Sequence, residues 1–391
     1  MKRIRSRPRA NLDVRAAELG FGLITIDGAP YWDESAYYAF TLDQIEQDLE
    51  APSAELAEMA LALVSLVVRD ERRLARLGVP EHAWDLVRES WSRTDPSLYG
   101  RFDLAYDGQG PAKLLEYNAD TPTALYEAAV FQWFWKEDLL AAGQLAPGTD
   151  QFNSIHEKLV ARFAAIAGGR FLHLTAMADS DEDRLLVDYL ADCARQAGMA
   201  THFVALGAIG LETGAAPFIP RFVDDERRQI DLLFKLYPWE WVFADSFGQA
   251  EPMRHVGFIE PAWKAILSNK GILPMLWDME PGHPNLLPAF FEDDPRAGEL
   301  GRSYARKPLH SREGANVTLY DGSRIVDREG GTYGAEGFIR QALAPIPNFD
   351  GNFATIGSWI VGDEACGIGI REDATPITKN TSRFVPHVIV G

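Results

Sequence analysis

Apolar residues recur three and four positions apart along residues 51–77, where Leu56, Met59, Ala60, Leu63, Val67 and Leu74 mark one face of a helix that Gly78 and Pro80 close. The same spacing predicts helices over residues 11–20, 41–49, 80–91, 123–142 and 152–167, the last with Ile155, Leu159, Phe163 and Ile166 on one face. Such stripes read as core packing rather than cofactor contacts. A small hairpin is expected over 23–32. After Gly168 the pattern changes. Apolar runs at 171–176, 200–206 and 230–236, with a helix over 181–196 ended by Gly198, predict strand–helix–strand units and a parallel sheet. Beyond Pro261, strands at 354–361 and 367–371 among many glycine turns predict an α+β unit. The expected division is 1–150, 151–255 and 256–391, a mixed α+β and α/β chain.

The most informative stretch is residues 114–125, LLEYNADTPTAL. An apolar run that passes into alternating polar groups reads as a strand entering a turn, with Glu116, Asn118 and, if the strand runs on, Asp120 on one face. Arg101 and Asp103 alternate in the same way before Asp107-Gly108-Gln109-Gly110. If the two segments pair across that turn, Asp103 and Glu116 meet, and Arg101 can reach an anion. Carboxylate and carboxamide oxygens are hard ligands suited to Mg²⁺ held with phosphates. The other reading is that these acids are solvated turn formers and Asp-Gly an ordinary hairpin signal.

Composition narrows the field without choosing a chemistry. The chain has 391 residues, 47% hydrophobic and 24% charged, with a formal net charge of -19. That balance argues against a general nucleic-acid or anionic-membrane binder. The two cysteines, Cys193 and Cys366, lie far apart and outside any zinc spacing, so a reducing compartment is expected. No apolar run is long enough for a membrane span, and the basic N-terminus has no signal-peptide core. A cytoplasmic location follows as an expectation.

Lys270 sits between a helix and the next segment, and Lys307 lies in an extended segment before Pro308. The loop Ser311-Arg312-Glu313-Gly314 follows. Two lysines, a glycine-bearing loop and an Asp/Glu/Asn cluster form a set suited to ATP with a divalent metal. There is no GxxxxGK[ST] loop and no kinase signature, and the 171–176 strand lacks a following GxGxxG. Each lysine alone reads as a solvated surface charge, and the case rests on the combination. Asp179, Asp181 and Glu182 stand where that strand gives way to a helix, and read as helix-start acids or as ligands for a cationic group.

Taken together, RFDLAYDGQGPAKLLEYNADTPTALYEAAVFQW, SNKGILPMLW, YARKPLHSREGANV and GIGIREDATPITKNTSRFVPH resemble the synthetase domain of the glutathionylspermidine synthetase family, and still more its stand-alone bacterial relatives described as acid–amine ligases. The resemblance implies an ATP-grasp fold with an inserted pre-ATP-grasp-like α/β subdomain. It also implies an ATP- and Mg²⁺-dependent C–N ligase that forms an amide through an acyl phosphate. By that likeness Asp103, Glu116 and Asn118 hold Mg²⁺, while Lys270, Lys307 and Gly314 bind ATP. Arg101 and Arg371 stabilise the transferring phosphoryl group, Thr123 helps place the acid's carboxylate, and Asp181 and Glu182 fall near acids that bind the amine. The implied partners are a small-molecule or peptide carboxylate and an amine, with a polyamine as one candidate.

The bifunctional members carry a cysteine amidase domain. Neither cysteine here sits in such a context, and amide hydrolysis is not expected. The loop Ser311-Arg312-Glu313-Gly314 is less glycine-rich than the family pattern. Two rival readings keep the nucleotide but not the ligase: an ATP-binding sensor or scaffold, and an ATP-grasp kinase that releases a phosphorylated product.

Overall fold

Strands from the middle and the end of the chain form one sheet. A computed structural model describes residues 1–214 and 219–390. In it Lys113–Asn118 pairs with Tyr99–Ala105, which pairs with Asn352–Val361, then Glu364–Asp373 and Arg383–Val385, all antiparallel. Asn348–Phe349 adds a short sixth strand along Asn352–Val361. Both faces of this sheet are covered, and its long strand alternates between two cores. Ala354, Ile356 and Ile360 join a cluster with Leu56, Ala60 and Leu63, whereas Trp359 and Val361 join one with Ile155, Leu159 and Phe163. On the first face Ser53 and Ser358 satisfy each other's hydroxyls at 2.7 Å.

The helices follow the apolar spacing, with interruptions set by local chemistry. Thr41 caps Leu42–Ile45 in a reciprocal box with Gln44. A π-turn at Glu46–Glu50 then leads into Ala51–Val67, where Pro52 can donate no N–H. The single helix expected over 51–77 is two, Ala51–Val67 and Glu71–Arg76. The cause is Asp70, whose extended backbone and carboxylate, accepting from the Arg72 N–H, start a new helix. Residues 123–142 are likewise broken, into a π-turn at Glu127–Phe131 and a helix Gln132–Ala141.

The apolar runs after Gly168 form a parallel sheet ordered Gly257–Ile259, Leu232–Lys235, Leu172–Thr175 and Thr201–Phe203. Helix Asp181–Gln196 connects two of its strands, and its N-cap is Ser180, which accepts from the Asp183 N–H at 3.1 Å. A third, antiparallel sheet is ordered Ala289–Phe291, Phe338–Ala342, Tyr304–Pro308, Thr318–Asp321 and Arg324–Arg328. A small sheet brings Lys2–Arg5, Ala36–Phe40 and His387–Ile389 together near the two ends of the chain. No helix among the described residues is long and apolar enough to cross a membrane.

Buried charges lock the parallel sheet to the central one. The Glu260 carboxylate accepts from the Leu98 and Tyr99 N–H groups, both at 3.0 Å, and lies 3.2 Å from Lys264 Nζ. Lys264 also donates to the carbonyls of Tyr99 and Ala119. Asp120 accepts from Lys235 Nζ at 2.7 Å and from the Trp239 N–H at 2.8 Å. All four charged side chains are buried. Removing one partner strands the other in a low-dielectric interior, at a cost of about 3–5 kcal/mol. Lys264→Met is therefore expected to lower stability by roughly that amount in urea unfolding, and Lys264→Met with Glu260→Gln to recover part of the loss.

Candidate active site

The hairpin register brings the charged groups together. Arg101 stands directly opposite Asn118, and Asp103 opposite Glu116, with a bulge immediately after Asp103. The Arg101 guanidinium grips Asp103 with both arms, at 2.6 and 3.0 Å, and its third nitrogen donates to the Thr123 carbonyl at 2.6 Å. The Asn118 amide nitrogen lies 3.0 Å from Asp103 and 3.2 Å from Glu116, so one carboxamide bridges both carboxylates. Gly357, on the neighbouring strand opposite Asp103, leaves room for Arg101, because a Cβ there would sit 2.6 Å from Arg101 Cδ.

Cations arrive from three other segments. Lys270, after the short helix Lys264–Leu267, reaches Glu116 at 2.8 Å and the Ser311 carbonyl at 3.0 Å. Lys307, on Tyr304–Pro308, donates to the Leu115 carbonyl at 2.8 Å and to Gln341 at 2.7 Å. Arg371, on Glu364–Asp373, is held by the carbonyls of Ser382, Lys379 and Asn380 and lies 5.1 Å over the Tyr31 ring.

These neighbours set the ionisation of the site. Burial opposes the Glu116 charge, but Lys270 and Lys307 outweigh it and pull the carboxyl down to about 2. Burial raises Asp103, and Arg101 offsets only part of that effect. Burial also lowers Lys307 to about 8, with Glu116 pulling back. The result is a site with anionic and cationic groups in mutual contact, each able to exchange its partner for a ligand.

Two adjoining cavities meet at this cluster. One, of about 820 Å³, is polar and takes in Arg101, Asp103, Glu116, Asn118, Thr123 and Arg371. The other, of about 660 Å³, carries Lys270 and Lys307 beside an apolar wall that includes Ala305, Val317, Leu319, Leu343 and Ile377. Gly314 borders both with φ +72°, and a Cβ there would lie 2.5 Å from Ile377 Cγ2 and 2.8 Å from the Thr378 carbonyl oxygen. The remaining expected residues divide. Glu182 is half-buried, and burial, reinforced by Glu127, raises it to about 7. Asp181 is exposed, and neither residue lines either cavity.

Sequence reasoning passed over several groups here. Glu127 is buried, accepts from the Tyr31 hydroxyl at 2.7 Å and is raised mainly by burial, against the pull of Arg371 and Arg101. Asp183 is raised by burial, with Arg312 opposing. Glu240, Lys379 and Asn380 line the polar cavity, beside Arg312 and Glu313 of the loop that the sequence singles out. Glu127 left one signal: it is a carboxylate set among alanines and aromatics in a segment that otherwise reads as core.

Over 97% of this chain and 96% of its own, the structure matches that of a glutathione synthetase-like effector (GSS30) from Globodera pallida in apoform, with a TM-score of 0.59 and 13% identity. At that identity the likeness concerns the fold alone, that of a mixed α+β protein. The glutathionylspermidine synthase preATP-grasp family matches residues 3–390, and the chain belongs to that family. A Haemophilus influenzae protein named "Putative acid–amine ligase" is 40% identical over 404 residues, covering 100% of both chains. Trypanothione synthetase from Crithidia fasciculata is 30% identical over 85% of this chain, which spans 54% of that longer protein. By family the protein is classed with the ATP-dependent carboxylate–amine ligases.

The crowding at Gly357 generates a test. Gly357→Val is expected to push Arg101 off Asp103 with little loss of fold, visible in a crystal structure as a broken Arg101–Asp103 pair and in circular dichroism as an unchanged spectrum.

Proposed function

We propose that this protein joins a small-molecule or peptide carboxylate to an amine, at the expense of ATP and with Mg²⁺, through an acyl phosphate. The observation that carries the reading is the convergence of Arg101, Asp103, Glu116, Asn118, Lys270, Lys307 and Arg371 on two adjoining cavities. The residues fit the groups the family implies. Two carboxylates and a carboxamide are a hard-oxygen donor set, and the apolar wall beside Lys270 and Lys307 suits a flat base next to phosphates. Asp103, Glu116 and Asn118 would hold Mg²⁺, which when bound supplies charge neutralisation to the phosphates.

The chain's own residues would then act by positioning and charge. Lys270 and Lys307 leave their protein partners for phosphate oxygens, and the backbone around Gly314 closes over them. Arg101 and Arg371 neutralise the phosphoryl group as the substrate carboxylate oxygen takes it from ATP, leaving ADP. The amine nitrogen next attacks the acyl carbon. The C–N bond forms, the C–O bond to phosphate breaks, and the amine's proton departs. Thr123 lies on the acid's side, and Glu182, which feels the charge of Arg371, would draw the amine, with Asp181 next to it in the chain. A polyamine is the amine this acidic end suits best.

Domain roles follow the same proposal. Residues 1–150 and 256–391 form the ligase unit, and 151–255 form the pre-ATP-grasp-like insert, whose sheet takes a last strand from Gly257–Ile259. Both cysteines are free and buried, which supports work in the cytoplasm.

Mg²⁺-dependent ADP release against a matrix of small peptides and amines tests the function. ADP formed only when acid and amine are both present supports the ligase. ADP formed with acid alone points to kinase chemistry, and MgATP binding without turnover across the matrix points to a sensor. Asn118→Ala is expected to lose most turnover while its circular dichroism stays unchanged; full activity in that variant would falsify the metal assignment. A pH series adds a second check. Phosphate favours charged Lys307, so ADP affinity is full below about pH 8 and falls by up to about tenfold per unit above it. Calorimetry should show that fall flattened in Lys307→Met.

A further inference from the structure

A separate cavity lies at the C-terminal ends of the parallel strands. Thr175 and Lys235, the last residues of Leu172–Thr175 and Leu232–Lys235, both line it. This rim is where open parallel sheets receive ligands. The walls are apolar and aromatic, with Ile209, Phe222, Leu233, Phe247, Met253 and Phe258 among them, and the empty space is about 580 Å³. About 100 Å³ of it admits the centre of a water molecule, room for a single small ring.

Four polar side chains interrupt the apolar lining, and two of them, Thr175 and Lys235, are buried. The Thr175 hydroxyl is fully buried and has no hydrogen-bond partner. A buried polar group without a partner is costly, so a ligand acceptor that reached it would recover that cost. Lys235 Nζ donates to Asp120 at 2.7 Å and to the Tyr237 carbonyl at 3.0 Å, and an ammonium has three donors. Asp120 already balances its charge, and the remaining charged residue in the lining is Asp245, exposed at the edge. An anionic ligand would meet Asp245 without a free cation to answer it, and a cationic one would meet Lys235. The cavity therefore favours an uncharged molecule. It lies outside the proposed ligase cleft, although Asp120 lines that cleft on the other side of the ion pair.

We propose that this cavity is a second small-molecule site, for a compact, uncharged, aromatic or branched apolar molecule bearing one carbonyl-type hydrogen-bond acceptor that meets Thr175 and Lys235. The site stands independently of the ligase reading. Met253 supplies a reporter, because it lines the cavity and the chain has only 7 methionines.

The test is methyl NMR of ¹³C-methionine-labelled full-length protein, with the Met253 signal assigned through Met253→Leu. The probes are acetophenone, ethylbenzene and benzoate, which share a ring and differ in the acceptor and the charge. Acetophenone is expected to shift the Met253 signal saturably and to bind at least several-fold tighter than either of the others. Thr175→Val should lower its affinity several-fold while leaving ethylbenzene unaffected. Ile209→Trp should fill the space and abolish both. No Met253 shift with acetophenone, equal binding of ethylbenzene, or tighter binding of benzoate overturns the proposal. So does unchanged acetophenone binding in a folded Thr175→Val. If either variant fails to fold, the ranking of the three probes on the wild-type protein decides alone.

Discussion

Two carboxylates placed opposite each other on paired strands are the constraint around which the rest of the molecule is arranged. Asp103, buried, and Glu116, half-buried, share one register position, where like charges repel. The pair is tolerable only because cations from elsewhere in the chain reach it. Arg101 comes from the same strand, Lys270 from beyond the parallel sheet, and Lys307 from the third sheet. The central sheet, the third sheet and the segment that follows the parallel sheet therefore contribute to one electrostatic problem, and the site can form only when all of them are in place. Burying this much charge does little for stability by itself. Its value lies in holding groups that can trade protein partners for phosphate and metal.

The second requirement is precision of approach, and the backbone supplies it. Gly357 lets the Arg101 stem pass across the neighbouring strand, and Gly314 lets a loop turn against Ile377 and Thr378. Behind them, Glu260 and Asp120 take backbone N–H groups as well as lysines, fixing how the parallel sheet meets the central hairpin. Glu182, on a helix of that parallel sheet, feels the charges of Glu127 and Arg371, so the docking angle of the helix matters to chemistry as well as to packing.

Much of this was legible locally. Period-two alternation around Asp107-Gly108 gave the hairpin, and with it the meeting of Asp103 and Glu116. Apolar runs after Gly168 gave the parallel strands, because strands covered on both faces have no polar side to alternate. The break at Asp70 was missed because the apolar stripe continues through Leu74 while a single capping carboxylate resets the helix. The short strands Lys2–Arg5 and His387–Ile389 were missed because each is too brief to show a period. Asp181 and Glu182 are neighbours in sequence, yet a helix turns successive residues about 100° apart, so one is exposed and the other half-buried toward Glu127.

The sequence by itself determined the elements, the hairpin register and the residue types able to carry phosphoryl and metal chemistry. Those properties are written in spacing, and spacing is local. Only the tertiary structure decided that Lys270 answers Glu116, that Lys307 is desolvated enough to titrate near 8, and that Glu127 stands behind Arg371. It alone opened the cavity over Thr175 and Lys235. The reason is physical: charge neutralisation and desolvation depend on distance and burial between segments far apart in the chain, and no local pattern encodes either.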